Sequence, residues 1–267
     1  MECTIAGSPV YAYTGGKRLD AALPCVVFLH GALHDHSVWN LLARWFAHHG
    51  HAVLAPDLPG HGRSAGPALG SIEALSEWTL ALLDAAGVRE AALVGHSMGS
   101  LVALEAAAQA PARVCRLVMV GTAYPMKVSE ALLATAEESP LRAIDQVNAY
   151  MHSGIAAKPA YPGPGNWLHG TNRALMRRNQ AGAAAHGNLF HQDFTLCDRY
   201  ANGLQAAARV SCPARLVLGG ADQMTAPSAA RELAAALRAD VTTLPCGHAV
   251  MQEAPDATLQ ALRAALA

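Results

Sequence analysis

Ser97 is the residue in this 267-residue chain best placed for covalent chemistry, because it stands in Gly95-His96-Ser97-Met98-Gly99. A serine flanked by glycine two positions away on each side fits a tight turn from a strand into a helix. Such a turn forces the nucleophile into a strained backbone conformation, and only minimal side chains at 95 and 99 leave it room. It also points the hydroxyl upward and puts the Met98 amide at a helix N-terminus, where it can stabilise an oxyanion. A serine hydroxyl is a poor nucleophile near neutral pH and needs a base that is itself held by an acid. Asp222 in Gly219-Gly220-Ala221-Asp222 and His248 in Cys246-Gly247-His248 follow in that order. Each comes directly after an apolar run that reads as a strand. With 13 histidines in the chain, it is this position, not mere presence, that singles out His248. The loop after Val120 begins Gly121-Thr122-Ala123 and offers no competing carboxylate.

The elements that must position these residues follow from hydrophobic periodicity. Short, continuous apolar runs over Cys25–Leu29, Ala52–Ala55, Ala91–Val94, Leu117–Val120, Arg215–Leu218 and Val241–Leu244 read as buried strands. Between them lie amphipathic helices at Val38–His49, with Val38, Leu41, Leu42, Trp45 and Phe46 on one face, and at Ile72–Ala86, capped by Ser71. Further helices are expected at Ser97–Gln109, at Ser228–Arg238 and from Asp256 onward. Strand and helix in alternation predict an α/β fold, a mostly parallel central sheet with helices on both faces. The rhythm breaks between Ala123 and Leu204, where helical segments (Glu130–Glu138, Leu141–Met151) and a Pro/Gly loop at Pro159–Gly165 replace strands. The expectation is a core of residues 1–122 and 205–267 with a helical lid, residues 123–204, roofing the carboxyl ends of the strands.

Composition narrows the function classes. The chain is 52% hydrophobic and 15% charged, which suits a large buried core and excludes disorder. A net charge of −1 gives no footprint for nucleic acid or an acidic membrane surface. No basic-then-apolar leader opens the sequence and no membrane-length apolar run occurs, so a cytoplasmic protein is expected. Six scattered cysteines without a CxxC pair read as free thiols.

The chain resembles the α/β-hydrolase superfamily of serine hydrolases over nearly its whole length. Beyond the turn at Ser97, the resemblance rests on His30-Gly31 with Trp39 downstream, on Asp57-Leu58-Pro59-Gly60-His61-Gly62-Arg63-Ser64, and on Gly247-His248 followed by Glu253-Ala254-Pro255. It implies that the residue after His-Gly, Ala32, supplies a second oxyanion amide, with Leu33 the alternative if the loop is shifted. It also implies that Asp57–Ser64 is a structural turn. A serine nucleophile argues against the dehalogenases and epoxide hydrolases of the superfamily, which use aspartate. The expected activity is hydrolysis of a small carboxylic ester, lactone or thioester through an acyl-enzyme on Ser97, with His248 as base and Asp222 as its orienting acid. That chemistry requires no metal or organic cofactor. Carbon–carbon bond hydrolysis, acyl transfer to an alcohol or peroxide, and slow-turnover reception of a small molecule remain alternatives on the same triad.

Tyr161, Trp167 and Met151, with Leu33, are the candidates to meet substrate. His34, Asp35 and His36 lie just beyond the oxyanion loop. His186, His191 and Asp193 are close in sequence, but their spacing does not bring all three to one helical face, and a solvated polar loop is expected there. Arg173, Arg177 and Arg178 are expected on a solvated helix face.

Overall fold

The central strands are apolar on both sides because both faces of the sheet are covered. In the computed structural model, which describes residues 1–153 and 168–267, β3 (Cys25–Leu29), β4 (Ala52–Pro56) and β5 (Ala91–His96) are buried at every position. Together with β1 (Glu2–Ile5), β2 (Ser8–Tyr13), β6 (Val114–Val120), β7 (Ala214–Gly219) and β8 (Asp240–Leu244) they form one sheet in the order β1-β2-β4-β3-β5-β6-β7-β8. Strands β4 through β8 in that order are parallel, and the β1–β2 and β2–β4 pairs are antiparallel. The β1–β2 hairpin is not legible in the sequence. It turns on Ala6 and Gly7, both at positive φ, without the Asn-Gly or Asp-Gly signal that usually marks such a turn.

Alternation along the strands splits the core in two. Val27, Leu29, Leu93, Leu117, Met119, Leu216 and Leu218 pack on one face against α2 (Ile72–Ala85) and α3 (Met98–Gln109). Val26, Phe28, Val94, Val118, Val120 and Val217 pack on the other against α1 (Asn40–His48) and α11 (Pro255–Leu266). Phe28 sits between Trp39 and Phe46, with ring centroids 5.1 and 5.9 Å away. Fully burying each such side chain contributes roughly 1.5–3 kcal/mol, which makes this face the anchor of α1. The buried stripe of α1 is Leu42, Ala43, Phe46 and Ala47; Leu41, expected on it, is 71% exposed. The cause is that the segment ahead of α1 is a tighter 3-10 turn, His36–Trp39, which buries Trp39 and shifts the helical phase. Helix α3 is buried on nearly all sides, as befits the element that follows Ser97.

Between β6 and β7 the chain forms α4 (Glu130–Glu138), α5 (Pro140–Met151), α6 (Leu168–Gly182), α7 (Leu189–Arg199) and α8 (Gly203–Arg209). The return to the sheet is tied to α3: the buried Glu105 accepts from the Tyr200 hydroxyl at 2.7 Å and from Asn202 Nδ2 at 2.8 Å. The later part of the chain carries a 3-10 turn at Pro227–Ala230, α9 (Arg231–Leu237) and α10 (Val250–Glu253). Among the described residues no helix is long and apolar enough to cross a membrane.

Candidate active site

Strand β5 ends at His96 and α3 starts at Met98, so Ser97 alone makes the turn, at φ +52° and ψ −121°. For a residue with a Cβ this region costs energy, and it is tolerated where the surroundings over-determine it. Here the Ser97 amide donates to Val120 O at 2.9 Å, which pins the turn to β6. A Cβ on residue 95 would overlap the Gly99 carbonyl oxygen. One on residue 99 would lie 2.5 Å from the carbonyl oxygens of His30 and Leu29. Both glycines are therefore dictated by close backbone approach.

Asp222 and His248 come together from the loops after β7 and β8. His248 Nδ1 donates to Asp222 Oδ2 at 2.8 Å, with side chains 1% and 0% exposed. The carboxylate is saturated: Oδ1 accepts the Met224 and Thr225 amides, both at 2.8 Å, and Oδ2 also accepts the Thr225 hydroxyl at 2.7 Å. Burial by itself drives this carboxyl upward. The charge and hydrogen bond of His248, with the Thr225 donors, overrule it and hold the group at about 2. Thr225, 3.0 Å from His248 Nδ1, belongs to this cluster and carries no signal in the sequence, where a threonine three residues past an aspartate is an unremarkable turn feature.

His248 Nε2 is buried and has no hydrogen-bond partner among the described residues. It shares a small recess with Ser97, Ala32, His34, Val147, Met151, Met176, Phe194 and Met224. Behind it stands His96, whose Nε2 donates to the His248 carbonyl at 2.9 Å. Burial, reinforced by the neighbouring His248, pushes the His96 imidazole well below its usual range, and the carbonyl, which can only accept, places a proton on Nε2. On the outer side, Ser97 and Ala32 open into a cavity of about 400 Å³. Met126, Val128, Leu132, Val147, Phe194 and Met224 form its apolar walls.

Among the described residues the Met98 and Ala32 amides donate to no protein acceptor, whereas the Leu33 amide is taken by Asp193 Oδ2 at 2.7 Å. The Leu33 side chain is fully buried and lines neither cavity. Met151 lines the recess, as does His34. Tyr161 and Trp167 lie outside the described residues.

The solvated loop expected around Asp193 is not what forms. His191 and Asp193 are on α7, and Asp193 is 1% exposed, bonded to the core at Leu33 and at His61 Nε2 (2.8 Å). Tertiary pairing overrides the polar character of the segment. Among the described residues, His186, His191 and Asp193 do not gather into a group able to hold an ion. The arginines lie on a solvated helix face, with side chains 40%, 36% and 66% exposed, and pair there: Arg173 and Arg177 both meet Asp145, and Arg178 meets the buried Asp35 at 2.6 Å. Asp57 accepts from the His36 amide and ring at 2.7 Å and from the Arg63 amide at 2.8 Å, which makes Asp57–Ser64 a tied turn.

Two of these carboxylates carry an acid-stability signature. Asp222 and Asp35 sit at about 2 against an ordinary 3.8; for Asp35, burial is outweighed by the Ser37 and Arg178 hydrogen bonds. A depressed folded-state value means stability that is complete above 3.8 and lost as pH falls toward 2, on the order of 2 kcal/mol for each group. Urea midpoints at pH 5, 3 and 2 should fall in two steps of about equal size, and Asp35→Asn should shrink both. An unchanged drop in the variant would dissociate Asp35 from it.

Comparison with known proteins agrees with this architecture. Over 80% of its length the chain is 34% identical to the dihydrolipoyllysine-residue acetyltransferase component of the acetoin cleaving system of Pseudomonas putida, covering 56% of that protein. Over 38% of its length it is 41% identical to a Mus musculus sn-1-specific diacylglycerol lipase, covering 33% of it. The chain thus spans about half or less of these curated relatives. Among solved structures, the enol-lactonase from Burkholderia xenovorans LB400 superposes with a TM-score of 0.85 at 22% identity, over 100% of this chain and 99% of that one. Residues 26–261, from the second residue of β3 into α11, match the alpha/beta hydrolase family, and with the sheet order and the turn at Ser97 this places the chain in that family.

Proposed function

We propose that the protein is a serine hydrolase acting on a small carboxylic ester, lactone or thioester. Ser97 attacks the carbonyl, His248 Nε2 takes its proton, and Asp222 holds the imidazole and stabilises its cationic form. The Ala32 and Met98 amides receive the oxyanion, and water releases the acyl group. The observation that carries this reading is the placement of Ser97 and His248 in one recess, with His248 backed at Nδ1 by a carboxylate that takes four donors. The activities named for the lipase and the enol-lactonase support the same reaction class.

Helices α4 to α7 act as the lid of this site. They contribute Leu132, Val147, Met151, Phe194 and Met176, and so set which groups fit on either side of Ser97. Similarity to an acetyltransferase component favours one second reading, transfer of the acyl group to an acceptor other than water. Added alcohols and thiols would then compete with water for the acyl-enzyme. The primary test is a p-nitrophenyl phosphonate. It should attach one phosphonyl group to Ser97, found by peptide mass spectrometry, in step with loss of p-nitrophenyl acetate turnover. Labelling elsewhere, with turnover retained, would sink the assignment.

A further inference from the structure

The recess beside Ser97 holds a second histidine, and the position of its proton is set by the lid helices. His34 is 2% exposed and lines the recess together with Ser97 and His248. Its Nε2 lies 2.8 Å from Asn172 Oδ1 on α6. The direction of that bond follows from the far end of a chain of amides. The His169 carbonyl can only accept, and Asn148 Nδ2 on α5 donates to it at 2.8 Å. Asn148 therefore turns its Oδ1 to Asn172, which donates Nδ2 to it at 2.9 Å. The sulfurs of Met151 and Met176, 2.9 and 3.5 Å from the same Nδ2, agree, because a thioether also accepts only. Asn172 is left with its oxygen toward His34, so His34 Nε2 must donate.

A neutral imidazole protonated at Nε2 carries a lone pair on Nδ1. Burial keeps the His34 ring neutral, drawing its pKa down to about 4 against the opposing effects of Asn172 and Asp35. Nδ1 is buried and takes no hydrogen bond from the described residues. His248 has the reverse assignment: its Nδ1–H goes to Asp222, which leaves the lone pair on Nε2. One recess thus has two ring nitrogens that accept. Apart from Ser97 and Ala32, its other walls are the side chains of Val147, Met151, Met176, Phe194 and Met224. It measures about 10 Å³. A single water needs roughly that much room and at least two polar partners. Water is also the small molecule that carries two donors on one oxygen.

We infer, on the acyl-enzyme reading given above, that His34 Nδ1 holds the water that releases the acyl group, accepting one O–H while His248 Nε2 accepts the other. With both hydrogens directed at nitrogen, a lone pair of the water oxygen is left for the acyl carbon. As that oxygen bonds to the carbon, the O–H facing His248 breaks and its proton moves to Nε2. The bond from the carbon to Ser97 Oγ then breaks, and Oγ takes the proton from Nε2. The acid leaves with the hydrogen that faced His34, so His34 orients the water and exchanges no proton. An alcohol has one O–H, which goes to His248, and His34 gives it no help. The recess therefore favours hydrolysis over transfer.

Two substitutions in the full-length chain separate the two nitrogens of His34, each with a thermal melt. His34→Gln keeps an N–H for Asn172 but has no acceptor in the place of Nδ1. His34→Asn keeps an acceptor oxygen near that place but gives up the bond to Asn172. In stopped-flow hydrolysis of p-nitrophenyl acetate, His34→Gln should release the first p-nitrophenol within about 3-fold of the parent rate. Acetyl release should slow about 10- to 100-fold, so that kcat and KM fall together and acetyl-Ser97 accumulates, found by peptide mass spectrometry. With methanol added, the ratio of methyl acetate to acetate should rise about 10-fold or more. His34→Asn should stay within about 5-fold of the parent in all of these.

The reverse order, with His34→Asn the worse variant, would show that the bond to Asn172 matters and the acceptor does not, and would overturn the inference. Folded variants with parent rates overturn it too, as does a loss that lies in the first p-nitrophenol release. Should His34→Gln fail to fold, Asn172→Leu decides by the same readouts, because it lets the ring proton settle on Nδ1. Slow acetyl release after a normal first release then supports the role, and parent-like release overturns it. Phosphonate labelling of the parent protein separates the two failures. No label on Ser97 refutes the acyl-enzyme reading, and a labelled parent with indifferent His34 variants refutes the water-holding role.

Discussion

Ser97→Ala should abolish measurable hydrolysis of p-nitrophenyl acetate, a loss of about 10³- to 10⁶-fold, while the protein remains folded. The fold should tolerate the change because the Ser97 side chain supports nothing in the core. What pins the turn is its backbone amide, bonded to Val120 O, and the glycines at 95 and 99, all untouched by the substitution. Alanine has the same φ preference as serine in this strained position, so stability should shift by less than about 1 kcal/mol. Any rate that survives comes from the amides of Ala32 and Met98 acting on water. Initial rates, a melting curve and circular dichroism of the variant suffice. Turnover within about 10-fold of the parent, in a preparation free of contaminating esterase, would remove Ser97 from the mechanism.

Asp222→Asn should be nearly as damaging, about 10⁴-fold in kcat, for a different reason. The asparagine can keep Oδ1 as acceptor for the Met224 and Thr225 amides, so the loop after β7 should hold its shape. At the other end an NH₂ replaces the oxygen that accepts His248 Nδ1–H. The imidazole must then turn that nitrogen into an acceptor, which moves its proton to Nε2, where the Ser97 proton would have to go. The base is filled before the reaction starts. Steady-state kinetics with a melting curve test this. A folded Asp222→Asn protein that retains a tenth or more of the parent kcat would show that Asp222 does not set the histidine tautomer.

Much of this site is legible in the sequence. Gly95, Gly99 and Ser97 are confined to five residues, so their geometry is local, and a strand-to-helix turn has few other solutions. Asp222 and His248 lie far apart in sequence, but each follows an apolar run, and in a parallel sheet such positions converge at one end. The buried runs Cys25–Leu29 and Ala91–Val94 read directly as strands because burial on both faces leaves no polar residue to confuse the pattern. Thr225, His34 and Asp193 are illegible for the opposite reason. Each is a polar residue in a polar stretch, and its role depends on a partner 20 to 160 positions away.

Ser97 therefore marks the division. By itself the sequence determined the turn that carries it, the strand-end positions of Asp222 and His248 and the alternation that builds the sheet, since these follow from steric exclusion and hydrophobic period. Only the tertiary structure decided which amide of the neighbouring loop is left without an acceptor among the described residues. Leu33 loses its N–H to Asp193 across 160 residues of chain, Ala32 keeps its own, and that choice is made by a buried ion pair between a loop and a helix. Such a pair forms where desolvation makes an unpaired charge intolerable, and the sequence alone does not carry that condition.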